Sequence, residues 1–255
     1  MLMNFFLAAY RPVYIVFLGI NTAVLGIIVI ITSFADPTGN FVHYIGKFWS
    51  RMNLFLAGAK VRITGIGHIS MGSSYIVLSN HQSHFDVWSL IGHLPLQLRW
   101  VIKKELRSVP IFGLGCERMG HIFIDRGNPQ KSHEELQALR DKFNTGASVV
   151  FFPEGTRSTD GTLLPFKKGG FVMALQAGIP ILPVTVNGSR HLLPKDSTRF
   201  RPGIIDIIIH EPVPVDGYLY EKKEALMEKV RQIRSEENTS ELQSRPSIAY
   251  AVFCL

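Results

Sequence analysis

Tyr75-Ile76-Val77-Leu78-Ser79-Asn80-His81-Gln82-Ser83-His84-Phe85-Asp86 passes from an apolar run into a polar turn carrying a histidine and an aspartate five positions apart. A second stretch repeats the pattern: the apolar run Ser148-Val149-Val150-Phe151-Phe152 leads into Pro153-Glu154-Gly155-Thr156-Arg157-Ser158. Apolar runs this short, each ending in a polar turn, read as buried strands of an α/β domain. In such domains the residues just past the carboxyl ends of the strands line the ligand crevice. A histidine with an orienting carboxylate, facing a carboxylate and a guanidinium around a glycine, can activate a hydroxyl on a phosphorylated substrate.

Working outward, short apolar runs alternate with helical patterns from Val61 onward, which predicts a mostly parallel central sheet flanked by helices. Strands are expected at 75–79, 98–103, 121–125, 148–152, 181–186 and 204–210. Asn128-Pro129 caps a helix expected to run to about Phe143, closed by Gly146. A short buried helix is expected over 169–177, ended by Gly178 and Pro180. Residues 218–233 carry Leu219, Leu226, Val230 and Ile233 along one side, the pattern of an amphipathic helix lying on the sheet.

Residues 13–34 contain no charged side chain and are bounded by Arg11-Pro12 and Asp36-Pro37. As a helix they extend roughly 33 Å, enough for the hydrocarbon core of a bilayer. Phe41, Ile45, Phe48, Met52 and Phe55 then recur at helical spacing, with His43, Lys47, Ser50 and Arg51 on another face. That pattern suits a helix in the headgroup region. Residues 1–60 therefore read as a membrane-anchoring helical segment, either a hairpin or a spanning helix followed by an interfacial one. A secretory signal ending near Ala35 and a buried core helix are the competing readings. Lys47 and Arg51 following the apolar stretch place the main domain on the cytoplasmic side of the inner membrane.

The 255 residues hold 27 Lys and Arg against 20 Asp and Glu, a net charge of +7. That excess favours anionic partners, and without an RNA-binding aromatic signature, zinc finger or basic helix, nucleic acid is not expected among them. Cys116 and Cys254 are too few for a disulfide framework and fit a reducing compartment.

Five helical steps turn through about 140°, so His81 and Asp86 cannot share one face of a continuous helix. His81 is therefore expected in the turn before a helix, with Asp86 reaching back from its first turns to one imidazole nitrogen. A capping aspartate beside a structural histidine would carry the same letters. His81 and His84 with Asp86 make a thin metal site, and no metal is expected. A serine hydrolase would need a nucleophile elbow, and no Gly-x-Ser-x-Gly occurs.

From Val61 to Ile209 the residues resemble the glycerolipid acyltransferase family, and within it the 1-acyl-glycerol-3-phosphate acyltransferases. Four blocks in order carry the likeness. His81 to Asp86 fits the His-x-x-x-x-Asp signature, and Gly120-His121-Ile122-Phe123-Ile124-Asp125-Arg126 the second block, preceded by Lys104-Glu105-Leu106. Phe152 to Ser158 followed by Phe166-Lys167-Lys168-Gly169 fits the third, and Ile179-Pro180-Ile181-Leu182-Pro183-Val184 the fourth. The resemblance implies an acyltransferase domain over 61–233 that acylates the sn-2 hydroxyl of lysophosphatidate to phosphatidic acid. His81 and Asp86 would be its catalytic pair. It implies Lys104, Arg126, Glu154, Gly155, Thr156 and Arg157 as substrate-binding residues, with Arg157 and Arg126 on the phosphate and Glu154 on a glycerol hydroxyl or on Arg157. The donor would be acyl-coenzyme A or acyl carrier protein, the surroundings membrane lipids, and no cofactor is implied. Another lysolipid, or glycerol-3-phosphate, stays open as the acceptor, and a non-catalytic lipid-binding protein of the same fold is the remote alternative.

Residues 234–255, beginning Arg234-Ser235-Glu236-Glu237-Asn238-Thr239-Ser240-Glu241-Leu242, resemble a translated short-read sequencing adaptor and are set aside as a non-native tail. Removing their two basic and three acidic residues leaves 25 against 17, or +8, so the basic character does not depend on them.

Overall fold

The structure, a computed structural model, describes residues 2–36, 38–125 and 146–235. Its centre is a seven-stranded sheet: β1 (Ala59–Thr64), β2 (Ile76–Ser79), β3 (Gln97–Lys103), β4 (Ile122–Ile124), β5 (Ala147–Phe151), β6 (Ile181–Asn187) and β7 (Gly203–Ile209). The spatial order is β1-β7-β6-β2-β5-β3-β4. Every neighbouring pair is parallel except β6 and β7, which run antiparallel. The expected α/β architecture and all six expected strands are present.

β1 was not among those strands. Its outward positions carry Lys60 and Arg62, so it lacks a continuous apolar run. It is legible only as the edge partner of β7, where Arg62 forms a two-pronged pair with Asp206 at 2.6 and 2.7 Å. Such charges on an edge strand discourage further pairing.

β2 lies at the centre, buried at all four positions, and β5 and β6 flank it. Val77, Leu98, Val150, Leu182, Val184, Ile205 and Ile207 build the core on one face of the sheet, and Ile76, Leu78, Val149, Phe171 and Ile181 build it on the other. Strands buried on both faces are apolar throughout rather than alternating, which is why these runs were legible. Helices α3 (His84–His93), α4 (Phe112–Arg118), α5 (Gly169–Ala177) and α6 (Ser189–Leu192) connect or cover them. α5 has the expected bounds and ends at Gly178 with φ +65°. A final helix, α7 over 223–235, buries Leu226 and Val230 as expected but leaves Leu219 exposed, because regular helix begins only after it. The helix expected to start at Asn128 falls outside the described residues. Cys116 is buried in α4, and burial pushes its thiol up to about 12, so it stays protonated.

Ahead of the sheet, α1 (Leu2–Thr32) and α2 (Asn40–Leu56) form a hairpin. Residues Leu7–Ala35 have mean hydropathy 2.6 over their most apolar window, of which only 11% is buried, long and apolar enough to cross a membrane. Val13, Val16, Ile20, Val24 and Ile31 are exposed, which excludes the buried-core reading. Asn21 and Asn53 exchange side-chain hydrogen bonds across the hairpin, and the Trp49 indole donates to the Thr22 hydroxyl at 3.0 Å.

α2 corrects one detail of the sequence reading. Its apolar residues Phe41, Phe48 and Phe55 do face outward. Its polar residues do not face headgroups; they turn inward against the end of α3. Lys47 donates to the Leu94 carbonyl at 2.8 Å, Arg51 to that of Gly92 at 2.5 Å, and the His43 ring meets the Leu96 carbonyl at 3.1 Å. The last carbonyls of a helix have no internal partner and carry the negative end of its dipole, so cations there are favourable.

Candidate active site

The site is built where β2, β5 and β6 deliver their carboxyl or connecting ends. As the chain leaves β2, Asn80 clamps it to β6: its amide donates to the Val186 carbonyl at 2.8 Å and accepts from the Val186 amide at 2.7 Å. The turn that follows holds His81, and α3 then begins with Ser83 as its cap. The Ser83 hydroxyl accepts from the Phe85 amide at 3.1 Å and donates to the Leu193 carbonyl at 2.7 Å.

Asp86 stands in the first turn of α3, fully buried. Its Oδ2 lies 3.0 Å from His81 Nδ1 and accepts from the backbone amides of Ser83 at 2.8 Å and Gln82 at 2.6 Å. One carboxylate therefore both caps the turn and meets the imidazole. Donation from Nδ1–H leaves the lone pair on Nε2, the tautomer a general base requires. The imidazole, 17% exposed, lies flat on the ring of Phe152, with centroids 3.9 Å apart and planes 7° from parallel.

The second loop is tied to the first by its backbone: the Ser158 amide donates to the His81 carbonyl at 2.8 Å. Arg157 is thereby brought beside the dyad, where it and His81 add to burial in lowering the proton affinity of His84. Arg157 Nη2 pairs with Asp196 Oδ1 at 3.0 Å, a mostly buried guanidinium (18% exposed) against a mostly exposed carboxylate (75%). Thr156 is exposed in the same loop. Gly155 has φ +71°, and a Cβ there would come 2.6 Å from Lys167 Cε, so glycine admits both the turn and the lysine.

Glu154 departs from expectation. It is buried and meets Arg234 Nη2 at 3.0 Å, not Arg157. Burial raises its pKa, an effect the Arg234 charge opposes. Arg234 is the first residue of the segment set aside as a tail, yet here it lies in α7 with its side chain buried. The packed helix thus runs at least two residues beyond that boundary.

Lys104 follows the end of β3, where its ammonium reaches Asp125 Oδ2 at 3.8 Å, both partly exposed. Arg126 lies outside the described residues. Sequence reasoning missed Asn80, Phe152 and Asp196; a strand-end Asn and a Phe beside a charged turn were visible signals for the first two. Among the described residues no three His, Cys, Asp or Glu side chains are grouped to hold a metal ion.

Comparison with known proteins matches residues 60–187 to a family model described as "Acyltransferase". The chain is 34% identical over 175 residues to chloroplastic 1-acyl-sn-glycerol-3-phosphate acyltransferase BAT2 of Brassica napus, covering 68% of this chain and 50% of that protein. It is also 34% identical over 178 residues to human 1-acyl-sn-glycerol-3-phosphate acyltransferase alpha, covering 69% and 63%. The chain thus spans about half to two thirds of the length of these relatives. The crystal structure of the 1-acyl-sn-glycerophosphate (LPA) acyltransferase PlsC from Thermotoga maritima superposes with TM-score 0.78 at 27% identity, covering 92% of this chain and 96% of that one.

Proposed function

The chain belongs to the acyltransferase family, and from that membership we propose that it transfers a fatty-acyl group from an acyl thioester to the sn-2 hydroxyl of 1-acyl-glycerol-3-phosphate, giving phosphatidic acid. The observation that carries this reading is the His81–Asp86 contact at 3.0 Å, with Arg157 delivered beside it.

In the reaction, His81 Nε2 takes the hydroxyl proton as the oxygen attacks the thioester carbonyl carbon. The carbon–sulfur bond breaks, the imidazolium returns its proton to the departing thiolate, and an ester and a free thiol result. Asp86 holds the imidazole tautomer and offsets the charge that develops on it. Arg157 takes the acceptor phosphate, because a guanidinium fork suits phosphate oxygens. Lys104, and Arg126 by its place in the second block, add positive charge, while Thr156 contributes its hydroxyl. Glu154 and Gly155 hold the loop in shape. Acyl-coenzyme A or acyl carrier protein supplies the chain. Membrane lipids surround the exposed apolar faces of α1 and α2, and the domain lies on the cytoplasmic side, because Lys47 and Arg51 stay with it.

The test is turnover by the purified chain in mixed micelles. Lysophosphatidate with either donor should release thiol, and His81→Ala should abolish that release with the fold intact. Thiol release with glycerol-3-phosphate or another lysolipid, and none with lysophosphatidate, would transfer the assignment to a sister reaction.

A further inference from the structure

We propose that Phe152 is a positioning residue for the base: its ring fixes the plane of the His81 imidazole, and so the direction in which Nε2 presents its lone pair. The inference rests on the reading of His81 as general base.

One hydrogen bond does not fix a ring. The Nδ1 contact with Asp86 sets one point of the imidazole, but the ring can still swing about that bond. A second constraint is needed on the face, and the Phe152 ring supplies it, 3.9 Å away and 7° from parallel. Phe152 is itself held. It follows β5, and its carbonyl accepts from the Gly155 amide at 3.0 Å, while the Lys167 amide closes on the Pro153 carbonyl at 2.7 Å. On its inner side the ring meets Trp100 of β3, centroids 5.4 Å apart. Trp100 belongs to the buried core of the sheet, so the wall under the base is anchored in that core. The aromatic face also carries the negative side of its quadrupole, which favours the cationic imidazole formed as the hydroxyl proton arrives. A leucine would fill similar volume without supplying a flat face.

The experiment compares Phe152→Leu and Phe152→Tyr in the full chain, with His81→Ala alongside. A small misplacement of a reacting group can lower a rate by about a hundredfold. Phe152→Leu should lower kcat roughly ten- to a hundredfold, with KM for lysophosphatidate and for the acyl donor within about twofold. Phe152→Tyr should recover most of kcat. Melting curves identify any loss due to unfolding, and a folded Phe152→Leu protein with normal kcat overturns the proposal. So does a folded Tyr variant as slow as Leu, because a flat ring would then give no advantage. If His81→Ala keeps its activity, the reading of His81 as base fails, whereas an inactive His81→Ala beside an unaffected Phe152→Leu sinks only the role of the ring.

Discussion

The backbone amide of Ser158 donates to the carbonyl of His81 across 2.8 Å, and this bond joins two loops 77 residues apart in the chain. It connects the turn that carries His81 to the turn that carries Arg157. Neither loop belongs to a strand at that point, so no sheet register relates them. The pair behaves as one unit because each loop also hangs from an adjacent parallel strand, β2 or β5.

Asp86→Ala should damage activity and stability together. The carboxylate holds His81 and receives two backbone amides, so the change removes both the imidazole's partner and a helix-cap acceptor. The expected loss is about 10²- to 10⁴-fold in kcat, and about 1–2 kcal/mol in unfolding free energy from the cap. His81→Ala should cost activity alone. Steady-state kinetics with denaturant titration separates the two, and an Ala variant with normal melting would contradict the capping geometry.

Arg157→Ala should raise KM for the acceptor by about ten- to a hundredfold, the value of a hydrogen bond to a charged group, and leave KM for the donor unchanged. Asp196→Asn should shift the acceptor KM by less than about fivefold, because a pair with so exposed a carboxylate is worth at most about 1 kcal/mol. A larger Asp196 effect would mean that Arg157 is held far more tightly than the geometry implies.

The double change Lys47→Ala with Arg51→Ala distinguishes helix capping from headgroup binding. Both side chains meet carbonyls at the end of α3, each worth roughly 0.3–1 kcal/mol. Melting temperature should fall, while partition onto anionic vesicles stays within about twofold. Vesicle binding that collapses with unchanged melting would return these residues to the headgroup role.

Stability should fall as pH drops below the ordinary histidine range. Burial, together with Arg99 and Lys47, pushes His43 down to about 3, against 6.5 in the unfolded chain. Between those values the unfolded chain binds a proton that the folded protein refuses, so the contribution is complete above pH 6.5 and lost toward pH 3. The slope from one such group approaches about 1.4 kcal/mol per pH unit. His43→Gln should flatten melting temperature against pH over 6.5 to 4; an unaltered slope would exclude His43 as the group responsible.

Deleting 236–255 should leave thiol release within about twofold and melting unchanged, since the Arg234 side chain that α7 buries against Glu154 is kept. An inactive truncated chain would show that the tail is native to the fold.

Much of the site was legible because its chemistry is local. His81 and Asp86 are five residues apart, so helix geometry alone puts one in the turn and the other in the first turn of α3. The central strands were legible for a related reason: burial on both faces demands unbroken apolar runs. β1 was not, because an edge strand can carry Lys60 and Arg62 outward. The inward turn of the α2 polar face was hidden too, since periodicity shows that two faces differ but not which neighbour each meets.

What the sequence determined by itself was therefore each short-range relation: the central strands, the cap, the reach of Asp86 back to His81, and the apolar length of α1. Only the tertiary structure decided that β5 lies beside β2, that Ser158 closes on His81, that Phe152 lies under the imidazole, and that Glu154 meets Arg234 and not Arg157. Such contacts depend on strand order and on which side chain fills a given space. Those are set by the packing of the whole chain, and no local pattern of letters encodes them.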